Sequence, residues 1–116
     1  TKDLIVKYFI LAMILVSSSL AASSEQFSPT RGAGTISCGQ FLEGQNDDRI
    51  KNNDITWAQG FLSGMNVADY RSGKKLVNLP DAETINFYLV SYCTKKVLGQ
   101  PVFGAISLYQ ELRMTQ

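Results

Sequence analysis

The sequence contains no histidine, two cysteines, three prolines and one tryptophan, and its formal net charge is +1. Each scarcity removes a class of function. Without histidine, the usual proton-transfer group near neutral pH is missing, and so are the histidine-based metal sites. With basic and acidic side chains almost balanced, the chain lacks the Lys and Arg surplus that nucleic acid or anionic lipid demands of a main partner. No run of alternating apolar and polar residues is convincing enough to read as a strand. What remains, in 116 residues, is the composition of one small globular domain.

The first segment belongs to a different class. Lys2 and Lys7 precede an apolar run from Tyr8 to Val16, and Ser19-Leu20-Ala21 fits a small-x-small cleavage rule. Residues 1–21 therefore read as a signal peptide cut after Ala21. The competing reading, a retained transmembrane anchor, needs about 20 apolar residues, more than are present. Removing Lys2, Lys7 and Asp3 with the signal leaves equal numbers of acidic and basic side chains, a formally neutral mature domain. Residues 22–34, polar and bearing Gly and Pro, read as a flexible lead-in. Residues 35–116 remain as the folded domain.

Export places Cys38 and Cys93 in an oxidising compartment, where an even cysteine count favours a disulfide over two buried thiols. Closing a loop of about 55 residues would stabilise the fold by roughly 4 kcal/mol in the chain-entropy account. The expected localisation is periplasmic or secreted.

Helical spacing accounts for the rest. Ser37 and Gln40 form a capping box ahead of Cys38, Phe41 and Leu42. The stretch Gln45 to Asp54, with three aspartates and three asparagines, lacks the ligand spacing and central glycine of a calcium loop and reads as a solvated loop, with Asn53 or Asp54 capping the next helix. That helix is expected over about 55–70, with Ile55, Ala58, Phe61, Leu62, Met65 and Ala68 on one stripe and Trp57, Gly60, Gly64 and Val67 on the next. Two adjoining stripes imply a largely buried helix. Gly60 and Gly64, each costing roughly 1 kcal/mol against alanine, are then expected to admit another helix close to the backbone, with Trp57 beside them. Gly73 ends this helix. Gly73-Lys74 is not a phosphate loop, because Ala68 and Lys75 stand where glycine and Ser or Thr are needed. Pro80-Asp81 opens a third helix carrying Ile85, Leu89, Tyr92, Cys93 and Val97, and Gln100-Pro101 opens a fourth carrying Val102, Ala105, Ile106, Tyr109 and Leu112. The expected fold is all-α, a four-helix domain with five helices as the alternative, stapled by one disulfide.

No catalytic group stands out. Ser63 and Ser91 have no evident activating partner. Glu43, Glu83 and Glu111 fall on three helices, where solvated carboxylates are the simpler reading than an acid pair. No cofactor and no metal are expected, and the chain reads as non-catalytic. Phe87, Tyr88, Phe103 and Leu108 lie off the main apolar faces, either as a second surface for a partner or as broad helix faces.

Taken together, Cys38-Gly39-Gln40-Phe41-Leu42, Trp57-Ala58-Gln59-Gly60-Phe61-Leu62-Ser63-Gly64, Tyr92-Cys93 and the proline-started helix ending Leu108-Tyr109-Gln110-Glu111-Leu112 resemble a broad group of small exported bacterial helical proteins. The group includes the HdeA-type periplasmic acid-stress chaperones, similar in the Cys-x-x-Phe-Leu opening and the single cystine. It also includes the Rap/Tai-type immunity proteins that neutralise secreted amidases, similar around Gly60 to Gly64. The resemblance spans Ser37 to Leu112 and transfers only Cys38 and Cys93, as the cystine. It implies two functions: an envelope protein that binds another protein as an inhibitor or immunity factor, or an acid-activated holdase. The expected partner is a protein of unknown identity, with no nucleic acid and no membrane insertion of the mature domain, and the chain is expected to be a monomer or homodimer.

Overall fold

A computed structural model describes residues 1–7 and 29–116. The apolar run and cleavage site of the expected signal peptide lie outside the described residues, as do residues 22–28 of the expected lead-in. Among the described residues there is no strand. The domain consists of a 3-10 turn, Ala33–Thr35, and four α-helices: α1 (Cys38–Gly44), α2 (Asp48–Arg71), α3 (Ala82–Lys95) and α4 (Pro101–Thr115). Residues 2–7 are also helical, and exposed.

Local chemistry explains each boundary. The Ser37 hydroxyl accepts the Gln40 N–H at 3.1 Å while Gln40 Oε1 accepts the Ser37 N–H at 3.3 Å, the reciprocal capping box that starts α1. Asp47 accepts the N–H groups of Arg49 and Ile50 at 3.0 and 3.3 Å and starts α2. At its other end the Lys74 N–H reaches the Asp69 carbonyl at 3.0 Å and the Gly73 N–H reaches Tyr70 at 3.1 Å. Gly73 at φ 95° supplies the left-handed residue this closure needs. Asp81 caps α3 through the Thr84 N–H at 2.8 Å, and Pro101 occupies the first turn of α4.

Two sequence expectations are corrected here. Most of Gln45 to Asp54 is not a loop: α2 begins at Asp48, and the cap is Asp47 rather than Asn53 or Asp54. Its first turns are exposed, so no apolar period marks them in the sequence. The lead-in does not extend to residue 34, because residues 29–35 pack on α2. The Trp57 indole Nε1 donates to the Arg31 carbonyl at 3.1 Å, Gly34 is buried against the same ring, and Gln100 Nε2 donates to the Thr35 carbonyl at 3.1 Å.

The core sits where all four helices meet. Phe41, Leu62, Ile85 and Leu89 are fully buried around the Cys38–Cys93 disulfide, which joins α1 to α3 across 55 residues. The Cys38 N–H donates to the Gly99 carbonyl at 2.9 Å, tying the start of α1 to the α3–α4 connection. A close helix contact through glycine does occur, at Gly104: a Cβ there would lie 2.9 Å from the Tyr92 ring and 3.0 Å from Leu89, so α3 and α4 approach tightly at that point. Among the described residues, no helix is long and apolar enough to cross a membrane.

Candidate functional site

Gly60 and Gly64 do not sit in a helix contact. Both are exposed, and a Cβ built on either meets no described residue within 4 Å. The expectation of a packing role is overturned by the direction of α2: Ile55, Ala58, Leu62 and Asn66 turn inward, which puts residues 60 and 64 on the opposite side of the helix. Trp57 does pack: it borders the core cluster on one side and residues 31–34 lie against its ring on the other. Its ring stacks on Phe61 with centroids 5.0 Å apart and planes 16° apart.

The exposed side of α2 is therefore a continuous surface. Arg49, Asn53, Thr56, Gly60, Ser63, Gly64, Val67 and Arg71 follow one another at helical spacing and all are exposed. From Ile55 to Ala68 the helix carries no charged residue. Beside the first half of this face runs a cleft of about 740 Å³, floored by Trp57 and Phe61 and walled by residues 29–33 with Asn53, Thr56 and Gly60. Among the described residues that line it, Arg31 is the one that carries a charge. Arg31, Arg49 and Arg71 enter no ion pair among the described residues; the three pairs there are Lys51–Glu83, Lys74–Asp69 and Arg113–Asp69. A face that lacks a Cβ at Gly60 and Gly64 and carries no charge over four turns admits a close-packed apolar or small-residue partner, since charged groups are depleted from the centre of protein interfaces.

The opposite side of α2 carries the titratable chemistry. Asp69 Oδ2 accepts the Tyr109 hydroxyl at 2.6 Å and Arg113 Nε at 3.0 Å, joining α2 to α4. The Tyr109 hydrogen bond, with help from the Lys74 and Arg113 charges, holds the Asp69 carboxyl below its ordinary value against an opposing effect of burial. Asp54 behaves oppositely. It is 4% exposed, its Oδ2 has no partner, and burial raises its carboxyl above the ordinary value. Asn86, also buried, donates to Gln45 Oε1 at 2.8 Å, leaving Asn86 Oδ1 and Gln45 Nε2 unpaired.

The acids considered for catalysis or metal binding are dispersed. Glu43, Glu83 and Glu111 are exposed on α1, α3 and α4. Among the described residues, no three His, Cys, Asp or Glu side chains converge as a metal site. Ser63 and Ser91 are exposed. Of the residues expected off the main apolar faces, Phe87 and Phe103 are exposed, Tyr88 is half-buried, and Leu108 belongs to the core. The residues that sequence reasoning does not single out are Arg49 and Arg71, whose common side appears only once the start of α2 is known, and Arg31, which reaches the cleft through the packing of residues 31–34 on Trp57. The uncharged run from Ile55 to Ala68 was readable throughout.

No protein-family model, curated protein or solved structure matches the chain. The HdeA-type and Rap/Tai-type resemblance accordingly remains an expectation resting on short motifs.

Proposed function

We propose that the chain is an exported, non-catalytic protein-binding domain of the bacterial envelope, an inhibitor- or immunity-type factor that receives a segment of its partner on the exposed face of α2. One observation carries this reading. Gly60 and Gly64 weaken α2 by roughly 1 kcal/mol each and a Cβ at either meets no described residue, which supports a close approach by a partner on this side. Periplasmic or secreted placement goes with the proposal, supported by the Cys38–Cys93 disulfide. The test is an affinity capture from envelope extract with the wild type and with Gly64→Arg, both checked for unchanged melting. One stoichiometric partner held by the wild type and lost by the variant supports the reading; a partner held equally by both removes it.

A second reading, an acid-activated holdase, draws on the Asp69 contacts. Protonating Asp69 cancels its charge toward Arg113 and Lys74 and weakens the α2–α4 junction, while the disulfide still limits unfolding. Failure to keep client proteins soluble at about pH 2 to 3, where carboxylates are protonated, eliminates it.

A further inference from the structure

The charge pattern around the α2 face carries the protein-binding reading further, to the chemistry of the partner. The face is uncharged at its centre and ends in Arg49 on one side and Arg71 on the other, about 33 Å apart along the helix. Arg31 stands in the adjoining cleft. No carboxylate of α2 neutralises them from within the face: Asp47 caps its own helix, Asp54 is buried, and Asp69 is engaged by Tyr109 and Arg113. Asp48 falls a quarter-turn away from Arg49, on the neighbouring flank.

Resting on the reading of α2 as a binding surface, we propose that its occupant is a helix of another protein, uncharged and small or apolar in its middle and bearing carboxylates toward both ends. The middle follows from the open glycines and the Trp57 cleft, which accept a close backbone and one inserted apolar side chain. The acidic ends follow from Arg49 and Arg71, which enter no ion pair among the described residues. A second copy of the chain fits poorly: a two-fold axis across α2 sets Arg49 of one copy toward Arg71 of the other, and a parallel arrangement sets like on like. Charge matching of this kind governs which partner is accepted and how fast it docks more than the depth of binding.

Trp57 is the sole tryptophan and lines the cleft, so its emission reports occupancy. The probe is a synthetic helix of about 20 residues, long enough to span the face, with an alanine and leucine centre and glutamates at both ends; a second probe carries lysines in their place. The expected result is a saturable emission change with the glutamate probe, weakened about tenfold in Arg49→Glu/Arg71→Glu and by raised salt. The lysine probe should prefer the charge-reversed protein, and Gly64→Arg should block both. Equal binding of both probes to both proteins overturns the acidic partner while leaving the α2 face as a binding surface. No emission change with either probe overturns the proposal, and so does a solution dimer that Gly64→Arg dissociates, since a second copy then occupies the face.

Discussion

The Asn66 side chain grips the backbone of Val77 from both directions: its Nδ2 donates to the Val77 carbonyl at 2.9 Å, and its Oδ1 accepts the Val77 N–H at 3.0 Å. Both residues are buried. The α2–α3 connection is therefore held to α2 by an amide that satisfies two main-chain groups water cannot reach. Asn66→Leu leaves both unpaired and should destabilise the domain by about 2–4 kcal/mol. Asn66→Asp keeps the acceptor for the Val77 N–H, loses the donor and puts a buried charge against the Val77 carbonyl. Its loss should shrink as pH falls from 7 toward about 4, because burial against a carbonyl favours the protonated carboxyl in the folded chain. Urea unfolding of the two variants at pH 7 and pH 4 reads this directly.

The glycines separate into two kinds. Gly60→Ala and Gly64→Ala add a methyl group to open solvent within a helix and should each stabilise by roughly 0.5–1 kcal/mol. Gly64→Leu should fold without overpacking, for the same reason. Gly104→Ala places its Cβ 2.9 Å from the Tyr92 ring, so α3 and α4 must separate, and a loss of about 1–3 kcal/mol is expected. Thermal melts of the four variants distinguish the two kinds, and a destabilised Gly60→Ala contradicts the exposed face.

Stability should depend on pH in two opposed ways. Hydrogen bonds to the ionised forms hold Asp69 and Asp81 below the ordinary carboxylate value, led by the Tyr109 hydroxyl and the Thr84 N–H respectively. Their contribution is fully present above the unfolded value of 3.8 and is lost as pH falls through the lower folded value. For Asp54 the folded value is raised, so the folded chain holds that proton more tightly than the unfolded one. The stability gained from it is complete below the unfolded value and is lost as pH rises through the folded value. Asp54→Asn should therefore stabilise the protein at pH 7, by on the order of 1 kcal/mol, and show less advantage at pH 3. Tyr109→Phe should weaken the fold most at neutral pH and least in acid. Denaturant midpoints measured from pH 3 to pH 8 test both signs.

Much of the fold is legible in the sequence because it rests on short-range chemistry. Ser37 and Gln40, Pro80-Asp81, Gln100-Pro101 and Gly73 mark helix ends through bonds made within a few residues. The apolar spacing of Ile85, Leu89 and Cys93 follows from 3.6 residues per turn. The start of α2 is harder, since Asp47, Asn53 and Asp54 are all competent caps and the turns between them face solvent. Asp54 shows what separates them: as a cap it would be exposed, whereas here it is buried beside Gly44 of α1 with its Oδ2 unpaired. The candidate site is legible in its composition, as an uncharged run with two glycines, but not in its direction.

By itself, then, the sequence determines an all-helical domain, its cystine and most of its helix ends, because capping bonds and apolar periodicity act over one or two turns. Only the tertiary structure decides which side of α2 turns inward. Two apolar stripes on one helix compete for the core, and the one carrying Ile55, Ala58 and Leu62 prevails because that side, which also holds Asn66, meets α3, α4 and the Val77 backbone together. Gly60 and Gly64 are left facing water.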